Sequence, residues 1–257
     1  MTQVDLWTLE AELCTPDTQP LCGVDEAGRG PLAGPVCAAA VMLPPGLVIP
    51  GLNDSKKLSE KKREALYDTI RAQALSYGIA FATVEEIEEY NILGATFLAM
   101  NRAIAQLTPQ PALALIDGNR STGITVPSRC VVGGDGKCAD IAAASVLAKV
   151  TRDRYMRGMA QTYPQYGFEK HKGLRNGGAL RRHPGIWAVS HPPAVVPEED
   201  ALIWPVQSGE RAARGVRITR RPTCAGTGIA SSRATTAAAS VRSTSSPPTG
   251  TMSCSWR

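Results

Sequence analysis

Gly23-Val24-Asp25-Glu26-Ala27-Gly28-Arg29-Gly30-Pro31-Leu32-Ala33-Gly34-Pro35 decides how the rest of this chain is read. A short apolar run ends in two adjacent carboxylates, and a glycine-flanked arginine follows. Glycines let a backbone turn sharply and pass close to a ligand. Carboxylates suit hard divalent cations. Such a pair beside a loop able to touch a nucleic-acid backbone points to phosphodiester chemistry.

Working outward, residues 21–26 and 36–43 are short Val/Ala-rich runs between glycines and prolines, and both read as strands. Gly51–Leu58 is a polar turn. Ser59 is a good N-cap for a helix through about Ala74, with Leu66 and Ile70 on one face. Tyr77–Ala82 reads as a strand. Thr83 and Glu86 have capping-box spacing and start a short helix. Asn91 caps the next one, where Leu93, Phe97, Met100, Ile104 and Leu107 recur at helical spacing. Ala112–Ile116 and Cys130–Val132 read as strands, and the alanine-rich stretch 139–160 as a helix. The order β-β-α-β-α-α-β-β-α predicts an α/β fold with a mixed, five-stranded sheet flanked by helices. Asp25, Asp117 and Asp135 then all fall at strand ends, where sites gather in open sheets.

The chain of 257 residues is 43% hydrophobic, enough for one good core. The N-terminus has no basic-then-apolar signal, and no apolar run is long enough to span a bilayer. The 7 cysteines show no CxxC and no regular spacing, which reads as reduced thiols in a cytoplasmic protein. The formal charge of +5 is misleading. Between Gln207 and Arg257 eight arginines face one acid, Glu210, so the positive excess belongs wholly to that tail. The basic balance therefore says nothing about the folded part.

Phosphodiester hydrolysis near neutral pH needs phosphate charge neutralised and water deprotonated, which two divalent ions roughly 3.5–4 Å apart supply. Asp25, Glu26, Asp117 and Asp135 are the candidate ligands, and without metal their mutual repulsion should raise at least one pKa. The plain alternative is that each Asp beside a glycine is a turn residue. There is also a geometric tension. Neighbours in a regular strand face opposite ways, so Asp25 and Glu26 share a site only if the strand bends or ends there.

Seven segments carry a family resemblance: GVDEAGRGPLAGPV (23–36), GLNDSKKLS (51–59), YNILGATFLAMNRAI (90–104), LIDGN (115–119), VVGGD (131–135), IAAASVLAKVTRDR (141–154) and YPQYGFEKHKG (163–173). In this order they resemble bacterial ribonuclease HII over nearly all of residues 21–173. The resemblance implies a ribonuclease H-like fold. It implies a two-metal endonuclease, using Mg²⁺ or Mn²⁺, that cuts RNA/DNA hybrids or ribonucleotides embedded in duplex DNA. The cut falls 5′ to the ribonucleotide and leaves a 3′-OH and a 5′-phosphate. Asp25, Glu26, Asp117 and Asp135 become the catalytic, metal-binding set, and Asp153 stays outside it as a helix-surface or structural charge. The Gly28-Arg29-Gly30 loop becomes the sensor of the ribose 2′-OH. Lys56 matches a phosphate-contacting lysine, and Ser145 is placed where it approaches a phosphate. The plain readings are a surface arginine at 29, a solvated lysine at 56, a helix-packing serine at 145 and a structural histidine at 171. The expected partner is the nucleic-acid duplex, with no membrane, and the expected state a monomer.

The resemblance stops after Gly173. Where the family carries a tyrosine that stacks on the neighbouring nucleotide, this chain has Leu174. The nucleotides of Gly173–Pro197, back-translated with GC-rich codons and read one base over, give the family's expected segment, including its tyrosine and HRRSF-like run. The expectation is therefore a catalytic domain over 1–173. Residues 174–257 are expected to form an atypical, low-complexity, disordered tail, with a one-base insertion near codon 174 as the hypothesis for its origin. The rival readings are an inactive or destabilised nucleic-acid binder with this aberrant C-terminus, and a proofreading-type exonuclease that needs free ends.

Overall fold

The alanine-rich and β-branched runs become strands because both faces of the sheet they form are covered. In the computed structural model, which describes residues 5–173, the strands are β1 (Leu21–Ala27), β2 (Val36–Met42), β3 (Ser76–Ala82), β4 (Leu113–Asp117) and β5 (Ser128–Val131). The helices are α1 (Thr8–Leu13), α2 (Glu60–Gln73), α3 (Val84–Ala105), α4 (Ala139–Thr162) and α5 (Phe168–His171). The sheet order is β3-β2-β1-β4-β5. The first three strands run antiparallel as a meander, and β4 and β5 join β1 in parallel. The chain has the mixed five-stranded sheet flanked by helices expected of it.

Strand alternation sorts the core into two layers. Cys37, Ala39, Val41, Ile79 and Phe81 face α2 and α4, while Val24, Ala38, Ala40, Ala80 and Ala82 face α3. β2 is buried along its whole length. Two glycines let the helices close in. A Cβ on Gly23 would sit 2.2 Å from the main chain of Asp140 and Ile141, and one on Gly78 would sit 2.1 Å from the Ala103 carbonyl. On α2, Ile70 is fully buried with Tyr67 and Leu66. Replacing such an isoleucine with alanine costs about 2–5 kcal/mol.

The local signals act as read. Ser59 Oγ accepts the Lys62 amide at the start of α2. Thr83 and Glu86 form a reciprocal capping box. Asn91 has φ 59° and breaks α3, and its side chain accepts the amides of Leu93 and Gly94 to start the second half. The strand expected at 130–132 lies instead at 128–131, because pairing with β4 begins at Ser128↔Ala114 and leaves Val132 exposed. The sequence reading did not anticipate α1 or α5. Among the described residues no helix is long and apolar enough to cross a membrane. The expectations for 174–257 (the tail, Leu174 and the shifted frame) fall outside the described residues.

Candidate active site

β1 and β4 are parallel neighbours, so their C-terminal ends meet at one edge of the sheet. Val24 pairs with Ile116, which puts the next residues, Asp25 and Asp117, side by side. The third acid arrives on a tight turn. Gly133 adopts a left-handed conformation, φ 65°, ahead of a 3₁₀ turn over Gly134–Gly136 that carries Asp135. The Gly134 amide donates to Asp117 Oδ1 at 2.7 Å and ties that turn to the end of β4. One carboxylate oxygen from each of Asp25, Asp117 and Asp135 lies within 4.8 Å of the other two.

Asp25 and Asp135 are buried and Asp117 is half-buried. Burial pushes the Asp25 carboxyl well above the ordinary aspartate range, and the charges of Glu26 and Asp117 push it further. Hydrogen bonds from Ser145 and from the Glu26 amide (2.7 Å) work against that rise. Burial also raises Asp135, partly offset by Lys56, whose Nζ donates to Asp135 Oδ2 at 3.2 Å. Lys56 reaches this position from a 3₁₀ turn over Ser55–Lys57, capped by Asp54, which accepts the Lys56 amide.

Glu26 stands apart from the three aspartates. β1 keeps regular pairing through Ala27↔Cys37, and Glu26, outside the tight trio, lines the same cleft as Asp25 and Asp117. Its Oε1 accepts from Arg29 Nη1 at 3.0 Å, and burial raises its pKa, with the charge of Asp117 adding a smaller push. Its Oε2 is buried with no hydrogen-bond partner. A buried carboxylate oxygen without a donor is costly unless a cation is supplied.

The glycine loop borders the same cleft, of about 310 Å³, together with Lys56, Lys149, Arg152 and Lys172. Gly28 is required by the chain itself, because its φ is 114° and a Cβ would come 2.5 Å from Arg152 Nε. Gly30 is different: a Cβ there would meet nothing within 4 Å. Arg29 is largely exposed apart from its bond to Glu26. Ser145 is buried on α4, sharing a hydroxyl–hydroxyl bond of 2.7 Å with Ser55. Asp153 lies outside the cluster, with Lys149 Nζ at 2.6 Å and Arg63 at 4.0 Å. Both His171 ring nitrogens are engaged by main chain: Nδ1 accepts the Gly173 amide, and Nε2 lies 2.8 Å from the Tyr166 carbonyl.

Sequence reasoning missed Arg152 and Lys149 on the cleft wall. The i,i+4 spacing of Lys149 and Asp153 was an advance signal for Lys149, and Arg152 had none.

The family described as ribonuclease HII matches residues 22–181 of this chain. The chain belongs to the ribonuclease HII family. The ribonuclease HII of Dechloromonas aromatica (strain RCB) is 60% identical over 153 residues, covering 60% of this chain and 78% of that protein. That of Marinomonas sp. (strain MWYL1) is 61% identical over 154 residues, covering 60% and 77%. The crystal structure of ribonuclease H2 from Pyrococcus horikoshii OT3 aligns with TM-score 0.52 at 25% identity, over 63% of this chain and 83% of that one. Membership in the ribonuclease HII family and the ribonuclease H fold make the chain a metal-dependent endonuclease of the ribonuclease H type.

Proposed function

We propose that this chain cuts the phosphodiester on the 5′ side of a ribonucleotide, in an RNA/DNA hybrid or within duplex DNA. Asp25, Asp117, Asp135 and Glu26 would hold Mg²⁺ or Mn²⁺. The observation that carries this is the convergence of three carboxylates within 4.8 Å, two of which, Asp25 and Asp117, line a glycine-bordered cleft. The donor set is all oxygen, as these hard cations prefer. The unpartnered Glu26 Oε2 and the raised carboxyls of Asp25 and Asp135 are what an acidic cluster shows before its cations are counted. When bound there, paired divalent ions neutralise phosphate charge and lower the pKa of water.

The chain's own residues supply grip and discrimination. Lys56, Lys149 and Lys172 rim the cleft and favour a polyanion passing through it. The open space at Gly30 lets the main chain approach a ribose, and the 2′-OH is the group that marks RNA locally. In this reading the 2′-OH is recognised and does not attack. The products are a 3′-OH and a 5′-phosphate, without a cyclic phosphate.

A labelled duplex carrying one ribonucleotide tests the proposal. A single cut 5′ to that ribonucleotide supports it. A 2′,3′-cyclic phosphate end, or equal cutting of an all-DNA duplex, overturns it.

We further read residues 1–173 as the catalytic domain and 174–257 as an atypical tail, most of which lies past the end of the family match at 181. Sequencing the DNA across codon 174 tests the one-base insertion. We also read the protein as monomeric and cytoplasmic. The five cysteines of the described residues are free thiols, which suits a reducing compartment.

A further inference from the structure

Arg152 is among the largest side chains that the described residues bury completely, at 2% exposure, and no carboxylate bonds to it. Its Nε donates to the Pro35 carbonyl, its Nη2 to that of Ala33 and its Nη1 to that of Lys172, each at 3.0 Å. A buried guanidinium whose hydrogen bonds all go to neutral carbonyls, with the charge of Asp153 nearby, is an unusual choice for a core position. Three acceptors at fixed angles match its planar fork, and a lysine ammonium cannot reproduce that arrangement.

The carbonyls come from two segments far apart in sequence: the loop that follows Gly28-Arg29-Gly30, and the residue just after α5. The packing binds the same two segments. A Cβ on Gly28 would sit 2.5 Å from Arg152 Nε and 2.7 Å from the Pro35 carbonyl, so the Gly28 main chain lies directly on the guanidinium stem. The Leu32 amide donates to the Gly173 carbonyl at 2.9 Å, and a Cβ on Gly173 would come 2.4 Å from the Ala33 carbonyl. Loop, guanidinium and residues 172–173 thus stack as one block. That block forms the wall of the cleft beside the carboxylates, which make no hydrogen bond to Arg152.

We infer that Arg152 is a positioning residue for ribonucleotide specificity, fixing the Gly28–Gly30 main chain in register with Lys172 before substrate arrives. This rests on the proposed reading of that loop as the ribose sensor. Arg152 touches no substrate and works through the backbone it holds. Its loss should therefore weaken recognition and spare the chemical step.

The test compares the full-length wild type with Arg152→Lys on a single-ribonucleotide duplex and an all-DNA duplex of the same sequence. KM should rise about tenfold while kcat stays within about threefold, because the lost interaction governs binding. In an Asp25→Asn background, which allows binding to be measured without cutting, the preference for the ribonucleotide duplex should collapse toward parity. An unchanged KM and preference, or a fall in kcat alone with the active fraction, overturns the inference. Should Arg152→Lys not fold, hydrogen exchange on the wild type decides. The Leu32 amide, bonded to the Gly173 carbonyl, should already be protected in the free protein, and exchange there at the rate of an open chain overturns the inference. If the wild type itself shows no preference, the ribose-sensor reading falls and this inference with it. If the wild type discriminates and Arg152→Lys does so equally, the inference about Arg152 falls alone.

Discussion

Two groups of buried acids lie on the same side of the sheet, both beside α4, and they are built for opposite ends. Asp25 and Asp117 line an open cleft with Asp135 beside them, and the three carboxylates converge on one another. Glu10 and Asp140 are sealed at the other end of β1, at the start of α4, and are answered from within. The Glu10 Oε1 accepts from the Asp140 amide at 3.0 Å and from the Cys138 thiol at 2.9 Å, while Asp140 Oδ1 accepts the Leu43 amide at 2.9 Å. Glu10 thereby caps a helix whose own N-cap residue, Cys138, makes no side-chain cap. Burial raises Glu10 and Asp140 in the sealed group and Asp25 and Asp135 in the open one. Acidity and burial alone therefore do not mark a metal site. The mark is three carboxylate oxygens converging within 4.8 Å of one another at an open cleft.

The strongest way to break this contrast is mutation within the open group. Asp25→Asn should lower cleavage by about a thousandfold or more, since it removes a ligand at the reacting centre. In EDTA the same variant should melt a few degrees higher than the wild type, at about 2–4 °C per kcal/mol for a chain of this size, because a repelled charge is gone. Added Mg²⁺ should raise the Tm of the wild type and not of the variant. A variant that cleaves normally, or that melts lower, would dissolve the distinction.

Next is pH. The folded Asp25 carboxyl is raised above its ordinary value of 3.8, by burial first and then by Glu26 and Asp117. Such a group favours the folded state at low pH, and that contribution is lost as pH climbs through the raised value. Metal-free protein should therefore lose stability as pH rises from about 4. Saturating Mg²⁺ binds the ionised form and should cancel the part of the loss that comes from the open group. The part from Glu10 and Asp140, which has the same sign, should persist. Denaturation midpoints with and without Mg²⁺ measure both parts.

Truncating the sealed group should act on stability alone. Glu10→Ala strands the Asp140 amide and the Cys138 thiol, which costs about 1–3 kcal/mol. kcat at a temperature where the variant is folded should stay within about twofold of wild type, since Glu10 is at the opposite end of β1. The smallest effect belongs to Lys56→Ala. Its ammonium is largely exposed although it bonds Asp135, so KM should rise about three- to tenfold at low salt and less at high salt.

These two groups also show what could be read from the sequence. Asp25, Asp117 and Asp135 were legible because each ends an apolar run beside glycine, and parallel pairing then brings strand ends together. Glu26 was legible as a tension: pleating keeps it out of the trio of aspartates, yet it lines the same cleft, bonded to Arg29. Glu10 was not legible. It sits in a helix of six residues, too short to show a period, held in place by docking on α4. Arg152 was hidden for another reason. In the run Thr151-Arg152-Asp153-Arg154, charge looks like a solvated helix face, yet Arg152 and Asp153 are buried and only tertiary carbonyls and cations explain them.

Titrating Mn²⁺ into the full-length protein, with the free ion followed by electron paramagnetic resonance, tests the central claim most directly. The account predicts that wild type and Glu10→Gln bind Mn²⁺ alike and that Asp135→Asn loses that binding. Undiminished binding by Asp135→Asn, or binding lost with Glu10→Gln in a folded protein, would contradict it.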